Sequence, residues 1–348
     1  MNFRSDNVVP AAPEIMDEVV RANRGSVSSY GDDDRTRGLD RAFSELFERE
    51  VAVMPVVTGT AANALALATF TPGTGAIYCH EAAHIMLEEA GAPAFYAGGA
   101  ALFPLPGAHG RYDGATLAAA LAPAKAGGVH WSTPSVASVT QSTESGTLYT
   151  REGVRAIAGV AHEHDMAVHM DGARLANAVA ALGCSPAEAT WKLGVDVLSF
   201  GATKNGALGA EAVVLFAPSA ERRARLAHLH KRGGHLLSKM RFVSAQLEAY
   251  LKDDLWLRLA RHANTMAARM ARGLAQMPAA ELAHAVEANE VFVRLPDGAI
   301  RALLADGVGM HRWGAESATL VRLVCSYATT EAEVDGFLAL ARKTLAAA

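Results

Sequence analysis

The sequence contains only three cysteines and carries little net charge. Cys79, Cys184 and Cys325 are odd in number, far apart and without metal-type spacing, which favours free thiols in a reducing compartment over a disulfide framework. The net charge is −4, so the chain lacks the basic excess that is typical of domains that bind nucleic acid. These two shortages predict a cytoplasmic protein with no nucleic acid among its partners.

The chain also lacks the sequence signals of membrane insertion or export. No segment approaches the roughly 20 uninterrupted apolar residues of a membrane span. The amino terminus, MNFRSDNVVP, has no apolar core of the kind found in signal peptides. We therefore expect no membrane partner, and the composition favours a small polar metabolite as the ligand.

The sequence does contain enough apolar material for a large core. Of its 348 residues, 51% are hydrophobic and 20% are charged, which is typical of a large domain accompanied by a smaller one. Because short apolar runs alternate with helix-period stretches, we predict an α/β domain with a mostly parallel sheet covered by helices on both faces. The predicted strands are VAVMPVV (51–57), GAIYC (75–79), VASVT (136–140), MAVHMD (166–171), VDVLSF (195–200) and AVVLF (212–216).

The pattern changes in the last third of the chain. Residues 219–277 are helical and strongly charged, and they are followed by VFVRL, a helix near 297–305, LVRLVCSY and a closing helix from 330. This order predicts a smaller α+β domain at the carboxyl terminus. We place the large domain at 1–250 and the small domain at 251–348.

Ligands of such sheets gather at the carboxyl ends of the strands, so the polar residues there are candidate site residues. The strand at 51–57 is followed by TGTAANALALATF, in which Gly59 and Thr60 stand at the start of an apolar helix. Free backbone N–H groups at a helix start form a phosphate site. The alternative is that Thr58 or Thr60 only caps the helix.

Two further candidates follow neighbouring strands. Asp171 ends a strand before the turn at Gly172, and Arg174 comes next, which makes either a functional carboxylate or an ion pair that caps a helix. Lys204, in SFGATKNG, lies between two apolar runs and is either a nucleophilic amine or a lysine that extends to the surface. A phosphate site, a strand-end carboxylate and a lysine on one sheet are what pyridoxal 5′-phosphate requires.

Seven segments, which span nearly the whole chain in order, carry a resemblance to a known family. They resemble the low-specificity L-threonine aldolases, and most closely the phenylserine aldolase-like branch of that family. The segments are FRSDN (3–7), YGDDDRT (30–36), TGTAAN (58–63), CHEAAHIMLEEAGAP (79–93), HMDGARLANA (169–178), SFGATKNG (199–206) and GHLLSKMRFVSAQLEAYL (234–251).

The resemblance implies a fold of type I among pyridoxal-phosphate enzymes, with pyridoxal 5′-phosphate as cofactor. It implies that Lys204 is the Schiff-base lysine, that Asp171 contacts the pyridine nitrogen and that His84 stacks on the ring. It further implies a phosphate site formed by Gly59, Thr60 and the amide of Ala61. No metal ligand set is predicted.

For the substrate, the resemblance implies that Ser5, Arg174 and Arg322 bind the carboxylate, with Arg174 also beside the cofactor. His130, in VHWST, resembles a second active-site histidine near the substrate hydroxyl. Tyr30 and Arg241 resemble groups that a neighbouring subunit contributes to the substrate and the cofactor, and Lys231 or Arg232 are alternatives to Arg241. A homodimer, or a homotetramer of two such dimers, follows from this resemblance.

The implied reaction is aldol cleavage of a β-hydroxy-α-amino acid, such as L-threonine, L-allo-threonine or an L-phenylserine-type compound, to glycine and an aldehyde. Two arginines grip a carboxylate bidentately, which selects the bond at Cα that breaks. His84, His130 or an ordered water is the candidate base. The alternatives are β-elimination or transamination with the same cofactor, and a non-catalytic protein that binds pyridoxal phosphate.

Overall fold

The structure is a computed structural model that describes residues 1–313 and 319–347. Its larger sheet has seven strands in the order β1-β7-β6-β5-β4-β2-β3. The pairs from β6 to β3 are parallel, whereas β7 runs antiparallel to both β6 and β1. The strands are β1 (Ala52–Val56), β2 (Gly75–His80), β3 (Ala101–Leu105), β4 (Thr133–Thr140), β5 (Ala167–Gly172), β6 (Val197–Gly201) and β7 (Glu211–Leu215).

Helices connect these strands and cover the sheet. None of the helices in the described part of the chain is both long and apolar enough to cross a membrane. The helices are α1 (Pro13–Ala22), α2 (Asp34–Leu46), α3 (Gly59–Phe70), α4 (His84–Leu87), α5 (Ala92–Tyr96), α6 (Gly114–Gly127), α7 (Arg151–Glu163), α8 (Leu175–Leu182), α9 (Pro186–Ala189), α10 (Ala220–Arg232), α11 (Arg241–Leu251), α12 (Leu255–Leu274), α13 (Asp297–Ala305) and α14 (Glu331–Ala347).

Both faces of the large sheet are buried, because alternate residues of each strand pack in different clusters. In β6, Val197 packs with apolar residues of α3 and α10, while Leu198 and Phe200 pack in the largest cluster with residues of α7, α11 and α12. A strand that is buried on both faces has a continuous apolar run in its sequence. This is why the apolar runs identified the central strands.

The fold prediction is confirmed: the chain is an α/β protein with a mostly parallel sheet and helices on both faces. One strand of the large sheet, β3, was not predicted from the sequence. β3 is an edge strand whose sequence, ALFPL, contains Pro104. Proline is tolerated in an edge strand, where one side of the strand makes no ladder hydrogen bonds, but in sequence it argues against a strand.

A second sheet of four antiparallel strands follows, in the order β10-β11-β9-β8. It consists of β8 (Glu281–Leu282), β9 (Glu290–Arg294), β10 (His311–Arg312) and β11 (Leu320–Val324). The helix α12 contributes Trp256 to the large cluster and Met270 to the cluster of the second sheet, to which Phe3 also belongs. A division at residue 250 stays a proposal, since α12 packs in both clusters.

The carboxyl ends of the central strands meet at one edge of the large sheet. In the strand register, Thr140 of β4 is opposite Asp171 of β5, and Asp171 is opposite Ser199 of β6. Behind this edge, the buried His169 contacts Ser138 at 2.8 Å and Ser199 at 2.9 Å, which ties the three strands together. Burial lowers the pKa of His169 to about 4, so this imidazole is a neutral part of the core.

Candidate functional site

Lys204 lies in a loop that is fixed from both sides. The loop leaves β6 and forms a single 3-10 turn, Thr203–Asn205. On one side the buried Glu211 accepts a hydrogen bond from the Ala202 amide at 3.0 Å. On the other side the Asn205 side chain donates to the Tyr250 hydroxyl at 2.7 Å and to the Trp256 carbonyl at 2.8 Å. The lysine is therefore held at the carboxyl edge of the sheet.

Asp171 ends β5 beside this loop, and its carboxylate is held by two donors. The Asn63 side chain donates to Oδ2 at 2.8 Å and the Ala173 amide donates to Oδ1 at 3.0 Å. The same Asn63 nitrogen donates to Glu89 Oε1 at 2.8 Å. That Glu89 oxygen lies 2.8 Å from His84 Nδ1. His84 and Asp171 are thus joined through Glu89 and Asn63.

This network favours the protonated form of the histidine. The Glu89 carboxyl beside Nδ1 raises the pKa of His84, and Asp171 acts in the same direction. Burial raises the pKa of Glu89, which His84 and Asn63 oppose by hydrogen bonding. The His84 side chain is 41% exposed while Glu89 is fully buried. The ring of His84 is therefore accessible to a ligand, and Glu89 holds it from the protein side.

Glu144 anchors the short helix that carries His84. Its Oε1 accepts hydrogen bonds from the His84 amide at 2.7 Å and from the Thr140 hydroxyl at 3.0 Å. The residue before the helix, Ala83, has no side chain able to cap it, so Glu144 supplies the cap from a distant loop. Burial raises the pKa of Glu144 to about 7.

The two arginines predicted to bind a carboxylate lie close to a common residue. Arg174 donates to both oxygens of the buried Asp6, at 2.7 and 3.2 Å. Its Nη1 lies 3.4 Å from Glu290 Oε2, and Arg322 Nη1 lies 3.6 Å from Glu290 Oε1. Burial alone would raise the pKa of Asp6, but the charges of Arg174 and Lys204 together hold this pKa below its ordinary value.

Ser5, next to Asp6, caps the first 3-10 turn of the chain, because its hydroxyl accepts a hydrogen bond from the Asn7 amide at 3.1 Å.

The helix start at Gly59 has one donor fewer than the sequence analysis assumed. Thr58 caps α3, and its hydroxyl accepts the hydrogen bond of the Ala61 amide at 3.1 Å. The Ala61 amide is therefore not free for a phosphate in this structure. Gly59 and Thr60 precede it in the first turn, where amides have no carbonyl partner within the helix. A side chain added at Gly59 would meet nothing within 4 Å, so there is space in front of this turn.

Three predicted residues are not brought to this site within one chain. His130 is exposed and precedes β4, so it lies at the amino edge of the sheet, opposite to Asp171 and Lys204. Tyr30 is 52% exposed and contacts Lys231, whose Nζ lies 4.8 Å from the ring centre. Arg241 donates to the Gly25 carbonyl at 3.1 Å. Within one chain His130 thus lies apart from Asp171 and Lys204, and its role stays a prediction, as do the roles of Tyr30 and Arg241 for a neighbouring subunit.

The buried groups of this site that were not predicted as site residues include Asn63, Glu89, Glu211 and Glu290. Two of them had a signal in the sequence, since Glu211 and Glu290 each stand directly before an apolar strand run, where a charged residue is expected to be exposed. Asn63 and Glu89 lie within helical or loop segments and have no such signal.

The donor and acceptor groups fit pyridoxal phosphate. Three buried acceptors near Asp171, namely Asn63 Oδ1, Glu89 Oε2 and Glu144 Oε2, have no hydrogen-bond partner within the described residues. A cluster rich in acceptors suits a protonated ring nitrogen. Across residues 1–313 and 319–347, no group of three or more His, Cys, Asp or Glu side chains is arranged to hold a metal ion.

Comparisons with known proteins agree with this geometry. A family model described as β-eliminating lyase matches residues 2–297. The chain is 40% identical over 327 residues to the low-specificity L-threonine aldolase of Pseudomonas aeruginosa, covering 94% of this chain and 93% of that protein. It is 37% identical over 345 residues to the low-specificity L-threonine aldolase of Pseudomonas sp., covering 99% and 98%.

Solved structures show the same relationship. The threonine aldolase of Leishmania major is 28% identical and has a TM-score of 0.91 over 99% of both chains. An aspartate aminotransferase from Rhodobacter sphaeroides, at 16% identity, shares the fold with a TM-score of 0.71 over 100% of this chain and 92% of that one. With a family match over most of its length and relatives aligned almost end to end, the chain belongs to the β-eliminating lyase family and, within it, to the low-specificity L-threonine aldolases.

Proposed function

We propose that this protein catalyses the pyridoxal-phosphate-dependent aldol cleavage of β-hydroxy-α-amino acids to glycine and an aldehyde. The candidate substrates are L-threonine, L-allo-threonine and L-phenylserine-type compounds. Membership of the family makes the chain a carbon–carbon lyase of the aldehyde-lyase class. One observation carries the proposal: His84 is joined to Asp171 through Glu89 and Asn63, and Lys204 follows the strand that pairs with the strand of Asp171.

We infer that Lys204 binds the cofactor covalently, that Asp171 contacts its ring nitrogen and that His84 stacks on its ring. The amides of Gly59 and Thr60 would bind the phosphate. When bound, pyridoxal phosphate supplies an electron sink for the charge left at Cα after bond cleavage. Asn63 and the Ala173 amide orient the Asp171 carboxylate for this contact.

The chain's own residues would orient the substrate and move one proton. Arg174 and Arg322 bind the α-carboxylate and so decide which bond at Cα is aligned for cleavage. His84 takes the proton of the β-hydroxyl group at Nε2, because its Nδ1 faces Glu89. Glu89 then stabilises the resulting imidazolium, as a buried carboxylate does beside a catalytic histidine.

The test is an absorption spectrum of the purified protein with aldehyde assayed in the same sample. We expect a cofactor band near the visible edge that is lost in Lys204→Ala, and aldehyde release from β-hydroxy amino acids by the wild type only. Comparing L-threonine, L-allo-threonine and L-phenylserine ranks the β-substituents. A matched control is Lys192→Ala, which removes an exposed lysine that pairs with Glu48 outside the site.

Other outcomes would redirect the assignment. A cofactor band with a keto acid as product, and no aldehyde, would indicate transamination or β-elimination. No cofactor band, even after incubation with pyridoxal phosphate, would contradict the proposal as a whole.

We also propose that the active unit is at least a homodimer, with Tyr30 and Arg241 acting at the site of the neighbouring subunit. The support is that the contacts of both residues within their own chain are to Lys231, Ser238 and Gly25, none of which is a residue of the site.

A further inference from the structure

Glu290 is a buried carboxyl group that no step of the proposed reaction uses. It is the first residue of β9, and its side chain is 0% exposed. Neither of its oxygens has a hydrogen-bond partner among the residues that the structure describes. A buried carboxyl group without hydrogen bonds is costly, so its presence calls for a compensating interaction.

That compensation comes from two guanidinium groups, one on each side. Arg174, which follows β5, presents Nη1 at 3.4 Å, and Arg322, on β11, presents Nη1 at 3.6 Å. Glu290 lies deeper than both, because the side chain of Arg174 is 10% exposed and that of Arg322 is 16% exposed. The carboxyl group therefore contacts the arginines from the interior of the protein.

The two arginines are fixed to different degrees. Arg174 has a second anchor in Asp6, to which it donates two hydrogen bonds. The guanidinium carbon of Arg322 lies 4.4 Å from the centre of the Trp313 ring, and Nε of Arg322 has no hydrogen-bond partner within the described residues. Burial lowers the pKa of Arg322, as does the nearby charge of Arg174, whereas Glu290, Asp6 and Glu88 raise it. Of these carboxylates, Glu290 is the one that forms an ion pair with Arg322, at 3.6 Å.

We propose that Glu290 is a positioning residue for substrate recognition: its charge holds Arg174 and Arg322 side by side, and the N–H groups of this pair that do not donate to Asp6 bind the α-carboxylate of an amino acid. The inference rests on the proposed function, since it assigns a carboxylate to the arginine pair. The alternative is that Glu290 competes with the substrate carboxylate for the two arginines. A competing carboxylate would hydrogen-bond to the guanidinium groups, but both contacts of Glu290 are longer than a normal hydrogen bond to such groups.

The test compares the binding of glycine and of glycinamide, which lacks the carboxylate, to the pyridoxal-phosphate-loaded enzyme by titration calorimetry. In Glu290→Gln we expect glycine to bind about tenfold more weakly or worse, with the affinity for glycinamide nearly unchanged. KM for the β-hydroxy amino acid should rise by more than kcat falls. Cofactor content and Tm are measured on the same samples.

Two further variants complete the design. Glu290→Asp keeps the negative charge and should retain part of the preference for glycine over glycinamide. This variant tests the inference even if Glu290→Gln does not fold. Asp335→Asn removes the carboxylate of an exposed ion pair between Asp335 and Arg269, and it should leave the affinities for glycine and glycinamide unchanged.

Three outcomes would overturn the inference. Tighter binding of glycine in Glu290→Gln would make Glu290 a competitor, and equal losses for glycine and glycinamide would make its role structural. An unchanged preference for glycine would mean that the arginine pair does not need it. If the wild type itself does not prefer glycine, or releases no aldehyde, the proposed function fails instead, so the two failures are distinguishable.

Discussion

At the scale of single residues, the site is dominated by carboxyl groups in low-dielectric surroundings. Burial raises the pKa of Glu144 and of Glu211 to about 7, and it also raises the pKa of Glu89 and Glu290. The cations that face them are Lys204, Arg174 and Arg322, together with His84 when protonated. The charges of Glu144 and Glu211 therefore depend on pH near neutrality.

The Glu89–His84 contact leads to a prediction for the pH dependence of turnover. Because the carboxylate favours the protonated imidazole, Glu89→Gln should lower the pKa of His84. If neutral His84 is the base, activity rises as pH passes this pKa, so the acid limb of the kcat/KM profile should move to lower pH. The maximal rate should fall, since the imidazolium loses its counter-charge.

The control for this measurement is Glu81→Gln, an exposed carboxyl group at the end of β2, which should leave the profile unchanged. An acid limb at the same pH in Glu89→Gln and wild type would mean that another group is the base.

At the scale of secondary-structure elements, the close approach of β5 and β6 decides where Asp171 and Lys204 stand. A side chain added at Gly201 would lie 2.5 Å from the Ala173 carbonyl oxygen and 2.6 Å from its Cα. One added at Gly172 would lie 2.8 Å from the Ser199 carbonyl oxygen. The two glycines therefore allow backbone to approach backbone at the edge that carries the site.

Gly201→Ala should separate these strand ends, because the added methyl group would clash with backbone atoms of Ala173, which cannot rotate aside as a side chain can. We expect a loss of about 1–3 kcal/mol in the free energy of unfolding and weaker binding of pyridoxal phosphate. The control is Gly159→Ala, in α7, where an added side chain meets nothing within 4 Å. That variant should gain up to about 1 kcal/mol, since alanine is the better helix former. Chemical denaturation and cofactor titration of both variants check this. A Gly201→Ala variant with wild-type stability and wild-type cofactor affinity would contradict the prediction.

Element positions also separate one predicted site residue, His130, from Asp171 and Lys204 within one chain. His130 was assigned to the site from a resemblance in the segment VHWST, but it precedes β4 and so lies at the amino edge of the sheet. The direction of a parallel strand is fixed by its neighbours, and ligand sites gather at the carboxyl edge. The role of His130 near the substrate hydroxyl therefore stays a prediction that one chain by itself does not support.

At the scale of the whole molecule, Tyr30 belongs to a surface that is separate from the site. It lines a cavity of 520 Å³ together with Thr36, Met54, His230 and Leu236, and neither Lys204 nor Asp171 borders this cavity. The proposed role of Tyr30 is therefore at the site of another subunit.

Mixing two inactive variants tests this arrangement. If sites are shared, co-expression of Lys204→Ala and Tyr30→Ala yields hybrid dimers in which one site carries both defects and the other carries none. Random assembly should then restore about one quarter of wild-type activity. Each variant expressed alone is the control. No recovery, in hybrids verified by mass, would mean that Tyr30 acts within its own chain or not at all.

The sequence by itself determined the elements and the residues at their ends. Apolar runs identified the buried strands, and Asp171 and Lys204 were found because Asp171 ends such a run and Lys204 lies in the loop between two of them. These are local properties: the strand pattern, the turn after it and the residue type can be read within about ten residues. The edge strand β3 and the short strands β8 and β10 lack that pattern.

Only the tertiary structure decided which side chains meet. Asn63 contacts Asp171 across 108 residues of sequence, Asp6 pairs with Arg174 across 168, and Asn289 reaches Asp6 across 283. Such contacts depend on how strands and domains pack, and no periodicity in the sequence encodes them. The same holds for the pKa shifts of Glu144 and Glu211, because burial is a property of the folded chain and not of the residue.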